Sequence, residues 1–167
     1  RHNRITTFAL IIPRFEDIFH SFYSGEVIKG ASLAASRLKV DILVHIAERF
    51  SHEDWLTEAL LNRDIFNGIL FADIDGDATM IKTVISQKMP YLVMNNYFQK
   101  EAINCIAIDN KKASIELVDY LVSLGHRKIA TIAGDLTTQA GKLRLEGFQE
   151  GLKNHDIEIP ERYIEVA

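Results

Sequence analysis

Only one cysteine, Cys105, stands in the 167 residues. A lone thiol has no internal partner, so no intrachain disulfide forms, and nothing in the cysteine usage points to an oxidising compartment. Long apolar runs are also missing. FALII (Phe8 to Ile12) and GILFA (Gly68 to Ala72) stop at five residues, far short of the roughly 20 that a membrane helix needs. The basic RHNR start leads straight into a β-like run with no small-residue cleavage pattern, which speaks against a signal peptide. No membrane partner and a cytoplasmic location are expected. Positive charge is not in excess either: 19 Lys and Arg face 23 Asp and Glu, for a net charge of −4. That sign argues against a surface dominated by phosphate contacts, so any DNA role lies outside this chain.

What is present is the composition of a folded domain, 47% hydrophobic and 25% charged, in a chain long enough for one α/β domain or one and part of another. TTFALII (Thr6 to Ile12) is a β-branched apolar run ended by Pro13, as in a strand buried on both faces of a parallel sheet. From Phe22 to Leu38, Tyr23, Val27, Ala31, Ala34 and Leu38 recur at helical spacing. VDILVHI (Val40 to Ile46) then reads as strand. Ser51 to Asp64 reads as helix, opened by a capping-box spacing of Ser51 and Asp54. GILFA is the third strand, and Ala78 to Lys88 the next helix, with Asp77 as N-cap. YLVMN (Tyr91 to Asn95) and CIAID (Cys105 to Asp109) are further strands. Asn110 caps a helix whose apolar face is Ser114, Leu117, Val118, Leu121 and Val122, and Gly125 sits where a C′ residue takes positive φ. KIATIAG (Lys128 to Gly134), a helix over Thr137 to Asn154 with Leu145, Phe148 and Leu152 inward, and YIEVA (Tyr163 to Ala167) complete the alternation. The class is α/β with a mostly parallel, doubly wound sheet.

Several motifs fail on spacing. An EF-hand loop opened at Asp73 would need Gly and Glu where Ala78 and Val84 stand. GDLTTQAGK (Gly134 to Lys142) has six residues between its glycines and Leu143 in place of the magnesium-binding hydroxyl. His52-Glu53 lacks the second histidine of a zinc helix, and neither GxSxG nor GxGxxG occurs. The six histidines are scattered, and Cys105 has no base near it in sequence, which suits a buried inert thiol. No catalytic set, metal or cofactor is expected, and the chain does not read as an enzyme.

The segment IDNKKASIELVDYLVSLGHRKIATIAGDLTTQAGKLRLEGFQEGL (Ile108 to Leu152) closely resembles the LacI/GalR (lactose-repressor) family of transcription regulators. The matching pieces are Asp109-Asn110, Leu124-Gly125-His126-Arg127-Lys128-Ile129-Ala130, Gly134, and Arg144-Leu145-x-Gly147-Phe148. Upstream, FALIIP, Glu26 to Gly30 and NGILF are similar to the family's first strand, first helix and third strand. The resemblance implies a type I periplasmic-binding-protein-like fold: two α/β subdomains joined by crossing strands, with a sugar or nucleobase-like effector in the cleft. On it, residues 1–4 are the end of a linker from a DNA-binding headpiece absent from this chain, 5–125 the N-terminal subdomain, and 126–167 the hinge crossover and an incomplete C-terminal subdomain. It implies the effector-binding and dimerisation module of a LacI-type regulator, a homodimer or higher oligomer that reaches operator DNA only through the headpiece. The exposed strand edge and helix face of the incomplete subdomain point the same way, toward self-association. The rival of the same fold is a sugar-binding protein of transport or chemotaxis.

Carried over residue by residue, Arg144 matches the arginine that grips sugar hydroxyls, a task suited to its rigid fork of donors. The alternative is a surface arginine paired with Glu146 or Glu150. Asn95 falls where the family often places an Asp facing the ligand, or is only a turn residue. Asp109 meets ligand or caps the next helix. Phe22 and Tyr23 fall near the aromatic pair that stacks on sugar faces. RFEDIFHSFYSGEVIKG is longer than the family's usual loop, however, and packing of Phe19, Phe22 or Tyr23 into the core is the alternative for each.

Overall fold

The computed structural model describes residues 6–14, 22–48, 56–74, 79–98 and 102–166. The expectations for residues 1–4, Phe19, Ser51, Asp54 and Asp77 lie outside them. The chain forms two compact units, Arg1–Ile106 and Ala107–Ala167.

The first unit is a five-stranded parallel sheet in the order β2-β1-β3-β4-β5. Its strands are β1 (Thr7–Arg14), β2 (Asp41–Glu48), β3 (Gly68–Ala72), β4 (Tyr91–Met94) and β5 (Cys105–Ile106). Alternation along β1 divides the core. Leu10 and Ile12, with Ala72, pack with Tyr23, Val27 and Ala31 of α1 (Phe22–Leu38). Ala9 and Ile11 meet Ile81 and Val84 of α2 (Thr79–Ser86), along with Phe71, Leu60 and Phe66. A central strand covered on both faces becomes a continuous apolar run, and Ala9 to Ile12 are wholly buried.

Several expectations for this unit change. β1 does not stop at Pro13, because β3 pairs with β1 only as far as Ile11. Pro13 therefore has a strand neighbour on one side alone, opposite Ala47, where a missing N–H is tolerated. The apolar face of α1 runs on to Ala35, while Leu38 is exposed and Ala34 lies outside the core; steps of four from Tyr23 lead to position 35. In the described part of the second predicted helix, residues 56–64 make isolated turns. Asn62 Oδ1 accepts the Asp64 N–H at 2.8 Å, a local bond that competes with helix continuation, and Leu60 still reaches the core. Cys105, expected buried, is a half-buried free thiol packed against that core.

In the second unit α3 (Asn110–Ser123) packs on α4 (Gln139–Asn154), and β6 (Thr131–Ala133) pairs in parallel with β7 (Ile164–Val166). This compact unit begins at Ala107, ahead of α3, and α3 shares its core with α4. Val118, Val122, Ile129, Phe148 and Leu152 are buried together, with Leu145 at the margin. Leu117, expected inward, is 59% exposed. Asp109, not Asn110, is the N-cap of α3: its carboxylate accepts the Lys112 N–H at 3.0 Å. At the other end Gly125 takes φ 91°. Its N–H bonds the Val122 carbonyl while His126 N–H bonds that of Leu121, the doubled closure that calls for a left-handed C′ residue. The strand expected over Cys105 to Asp109 shortens to two residues, and that over Lys128 to Gly134 to three.

Candidate functional site

Order β2-β1-β3 means that the chain leaves β1 on one side and returns on the other, which opens a crevice at the strands' carboxyl ends. Polar residues gather at those ends. Asp73 and Ile74 follow β3, Asn95 and Asn96 follow β4, and Tyr23 and Ser24 lie in the first turn of α1. Asn96 is wholly buried. Its Oδ1 accepts the Ile74 N–H at 2.8 Å, and its Nδ2 makes a long 3.5 Å contact with Asp73 Oδ1. Asp73 and Asn95 both hold left-handed backbone, φ 57° and 65°, which their short polar side chains tolerate best. Such conformations concentrate at functional sites. The backbone ties them down, with Asp73 N–H on the Met94 carbonyl at 3.1 Å and Asn95 N–H on that of Ile106 at 2.8 Å.

Tyr23 is half-buried against Leu10, Ile12 and Ala72. Its buried hydroxyl has no hydrogen-bond partner among the described residues. Burial pushes the phenol pKa well up, and the Asp73 carboxylate pushes it the same way. Because the folded-state pKa lies above the unfolded one, the neutral ring's contribution to stability is intact below about pH 10 and is lost as pH rises beyond it. Tyr23→Phe is therefore expected to melt within a few degrees of wild type at pH 7 and to lose less stability above pH ~10. Thermal melts of both proteins across that range check this, and parallel curves would reject it. Phe22, by contrast, is 84% exposed, so it does not pack into the core.

In the second unit the exposed Arg144 reaches from α4 to α3, and its Nε donates to Asn110 Oδ1 at 2.8 Å. Neither glutamate near it in sequence takes it up. Glu150 pairs instead with Lys111 at 2.7 Å, a hydrogen bond that raises the lysine's pKa. Asp109 performs its capping role, with its second carboxylate oxygen outside that bond. Among the described residues no cluster of His, Cys, Asp or Glu is arranged to hold a metal ion. No described helix is long and apolar enough to cross a membrane.

Of the five expected residues, Tyr23, Phe22 and Asn95 lie in one unit and Asp109 and Arg144 in the other. Asp73 and Asn96 lie beside Asn95 at the strand ends, and Asn110 beside Arg144, none of the three being a candidate from the sequence. The available signal was the doubled amide Asn95-Asn96 directly after an apolar strand.

Residues 7–165 match the family described as periplasmic binding proteins and the sugar-binding domain of the LacI family. The chain belongs to this LacI-type family. The HTH-type transcriptional regulator DegA of Bacillus subtilis is 27% identical over 164 residues, covering 96% of the chain and 48% of DegA. The chain spans about half the length of such curated relatives. A solved LacI transcriptional regulator from Bacillus cereus subsp. cytotoxis is 26% identical at a TM-score of 0.80, over 97% of the chain and 58% of that structure. The transcriptional regulator CelR, solved with cellobiose, shares the LacI-type fold at 22% identity and a TM-score of 0.75, over 99% of the chain and 51% of its own.

Proposed function

We propose that the chain is part of the effector-binding and dimerisation region of a cytoplasmic LacI-type transcription regulator, with a sugar or similar polyol as effector. Operator DNA is bound through a separate headpiece, and the effector acts by favouring one of two conformations that differ in DNA affinity. The observation that carries this reading is Arg144, an exposed guanidinium anchored by a buried amide. The other residues expected from the resemblance carry an amide, a carboxylate, a phenol and an exposed phenyl ring. These are groups that recognise hydroxyls and sugar faces, and no nucleophile with its base is among them. Asn95, Tyr23 and Phe22 belong to the first unit, and Arg144 and Asp109 to the second. The regulator name of DegA, matched over nearly the whole chain, favours regulation over transport.

A thermal-shift screen of monosaccharides, disaccharides including cellobiose, and nucleobases on the natural full-length protein tests the reading. An effector at 100 times its Kd adds about 2.7 kcal/mol of stability. Arg144→Ala removes charge-assisted hydrogen bonds worth about 1.5–3 kcal/mol, a loss of roughly ten- to hundredfold in affinity. A best hit that bound Arg144→Ala as tightly as wild type would remove Arg144 from the site.

A further inference from the structure

Asn110 is the first residue of α3 and is 4% exposed, yet it carries a full polar amide. Both ends of that amide are used. Nδ2 donates to the Ile108 carbonyl at 3.3 Å, which fixes the amide's orientation and turns Oδ1 toward α4. There it accepts Arg144 Nε at 2.8 Å. The pairing costs burial of a polar group at a place where a small apolar residue would serve packing alone. It also leaves the guanidinium in a defined state, because the two Nη groups make no hydrogen bond or ion pair among the described residues. The acceptor is neutral, so the positive charge is not cancelled.

We infer that Asn110 is a positioning residue for effector binding: it holds Arg144 through Nε so that Nη1 and Nη2 form a pre-set fork for adjacent effector oxygens. This rests on the reading of Arg144 as an effector contact. The physical advantage is entropic. A free arginine carries about 2 kcal/mol of rotamer entropy, and a chain already held at Nε loses less of it when the effector arrives. The backbone beneath is equally constrained. Gly147, one turn along α4, brings that helix so close to α3 that a Cβ there would run into the Lys111 carbonyl oxygen and lie 2.8 Å from Ser114 Cβ. Arginine and amide are thus clamped from both helices.

The ¹⁵N–¹H spectrum of the full chain tests the hold without any ligand, with the Arg144 Nε–Hε signal assigned by its loss in Arg144→Lys. In wild type that proton is expected to exchange slowly and lie apart from the other arginine signals. In Asn110→Ala it joins them and exchanges at their rate, and in Asn110→Asp, which keeps an acceptor in place, it is restored. A wild-type signal indistinguishable from a solvated arginine, or one unmoved by Asn110→Ala, overturns the inference. The tightest-binding sugar of the screen supplies the second arm. Asn110→Ala should weaken it about three- to tenfold, the cost of immobilising one long side chain, with Asn110→Asp restoring affinity and Arg144→Ala weakening it further. Unchanged affinity in Asn110→Ala alongside loss in Arg144→Ala overturns the positioning role alone. Unchanged affinity in Arg144→Ala, or no binder in the screen, removes the effector reading instead, and the spectrum then decides the role of Asn110 by itself.

Discussion

Gly147→Ala is expected to destabilise the protein by about 3 kcal/mol, at the upper end of ordinary overpacking. For a domain of this size that lowers the melting temperature by roughly 6–12 °C. In an exposed helix interior the same exchange gains up to about 1 kcal/mol, since alanine is the better helix former. The sign reverses here because the added methyl meets backbone. It would fall on the Lys111 carbonyl oxygen and within 3.0 Å of the carbonyl carbon, and no rotamer change moves a backbone group aside. The two helices must separate, which loosens Val118, Phe148 and Leu152. Gly151, one turn on, sets the same limit, with its would-be Cβ 2.8 Å from Val118 Cβ. Gly25→Ala in α1, where nothing lies within 4 Å of the added carbon, serves as the control and is expected to raise stability slightly. Thermal melts of the three proteins check the pair of signs. A neutral Gly147→Ala would mean that α3 and α4 do not pack closely enough for a methyl group to force them apart.

The glycine of RLEGF marks where reading residues in order succeeds and where it stops. Periodicity located α4 and its buried Phe148 and Leu152, because an amphipathic helix writes its core face at a fixed spacing. It did not show that Gly147 is the seat of α3, since a close helix approach depends on which face the partner brings. The same division holds elsewhere. β1 and β3 were legible because strands covered on both faces become apolar runs, and the Gly125 cap because a left-handed residue after a helix has few substitutes. The turns at 56–64 were not, because their apolar residues follow a helical spacing while Asn62 bonds locally instead. The site behaved alike. Arg144 carries a motif, but its partner Asn110 lies 34 positions away, where the local sequence points only to a helix cap. Asn96 lies 22 positions from Ile74. Polar pairings of that range leave no periodic trace, so they emerge only once the chain is folded.

Asn96→Ala is expected to cost about 3 kcal/mol, combining an unpaired buried N–H at Ile74 with the space left by the lost amide. Native-state hydrogen exchange should show the Ile74 amide losing its protection. The cost reaches the crevice as well, because Asn96 joins the ends of β3 and β4 where Asp73 and Asn95 hold left-handed backbone. Asn96→Asp separates the amide's two ends. It keeps an oxygen for the Ile74 N–H but sets a second carboxyl against the Asp73 carboxylate. Burial and like charge then raise the new carboxyl's folded-state pKa above its unfolded value. A raised pKa means stability that is present below the unfolded value and lost as pH climbs. Relative to wild type, Asn96→Asp should therefore be markedly less stable at pH 7 and recover much of the difference toward pH ~4, whereas the deficit of Asn96→Ala should not change with pH. If the two variants shared one flat deficit, the Asn96 and Asp73 side chains would not be neighbours. If Asn96→Ala kept full protection at Ile74, the amide would not be what holds the end of β3 in place.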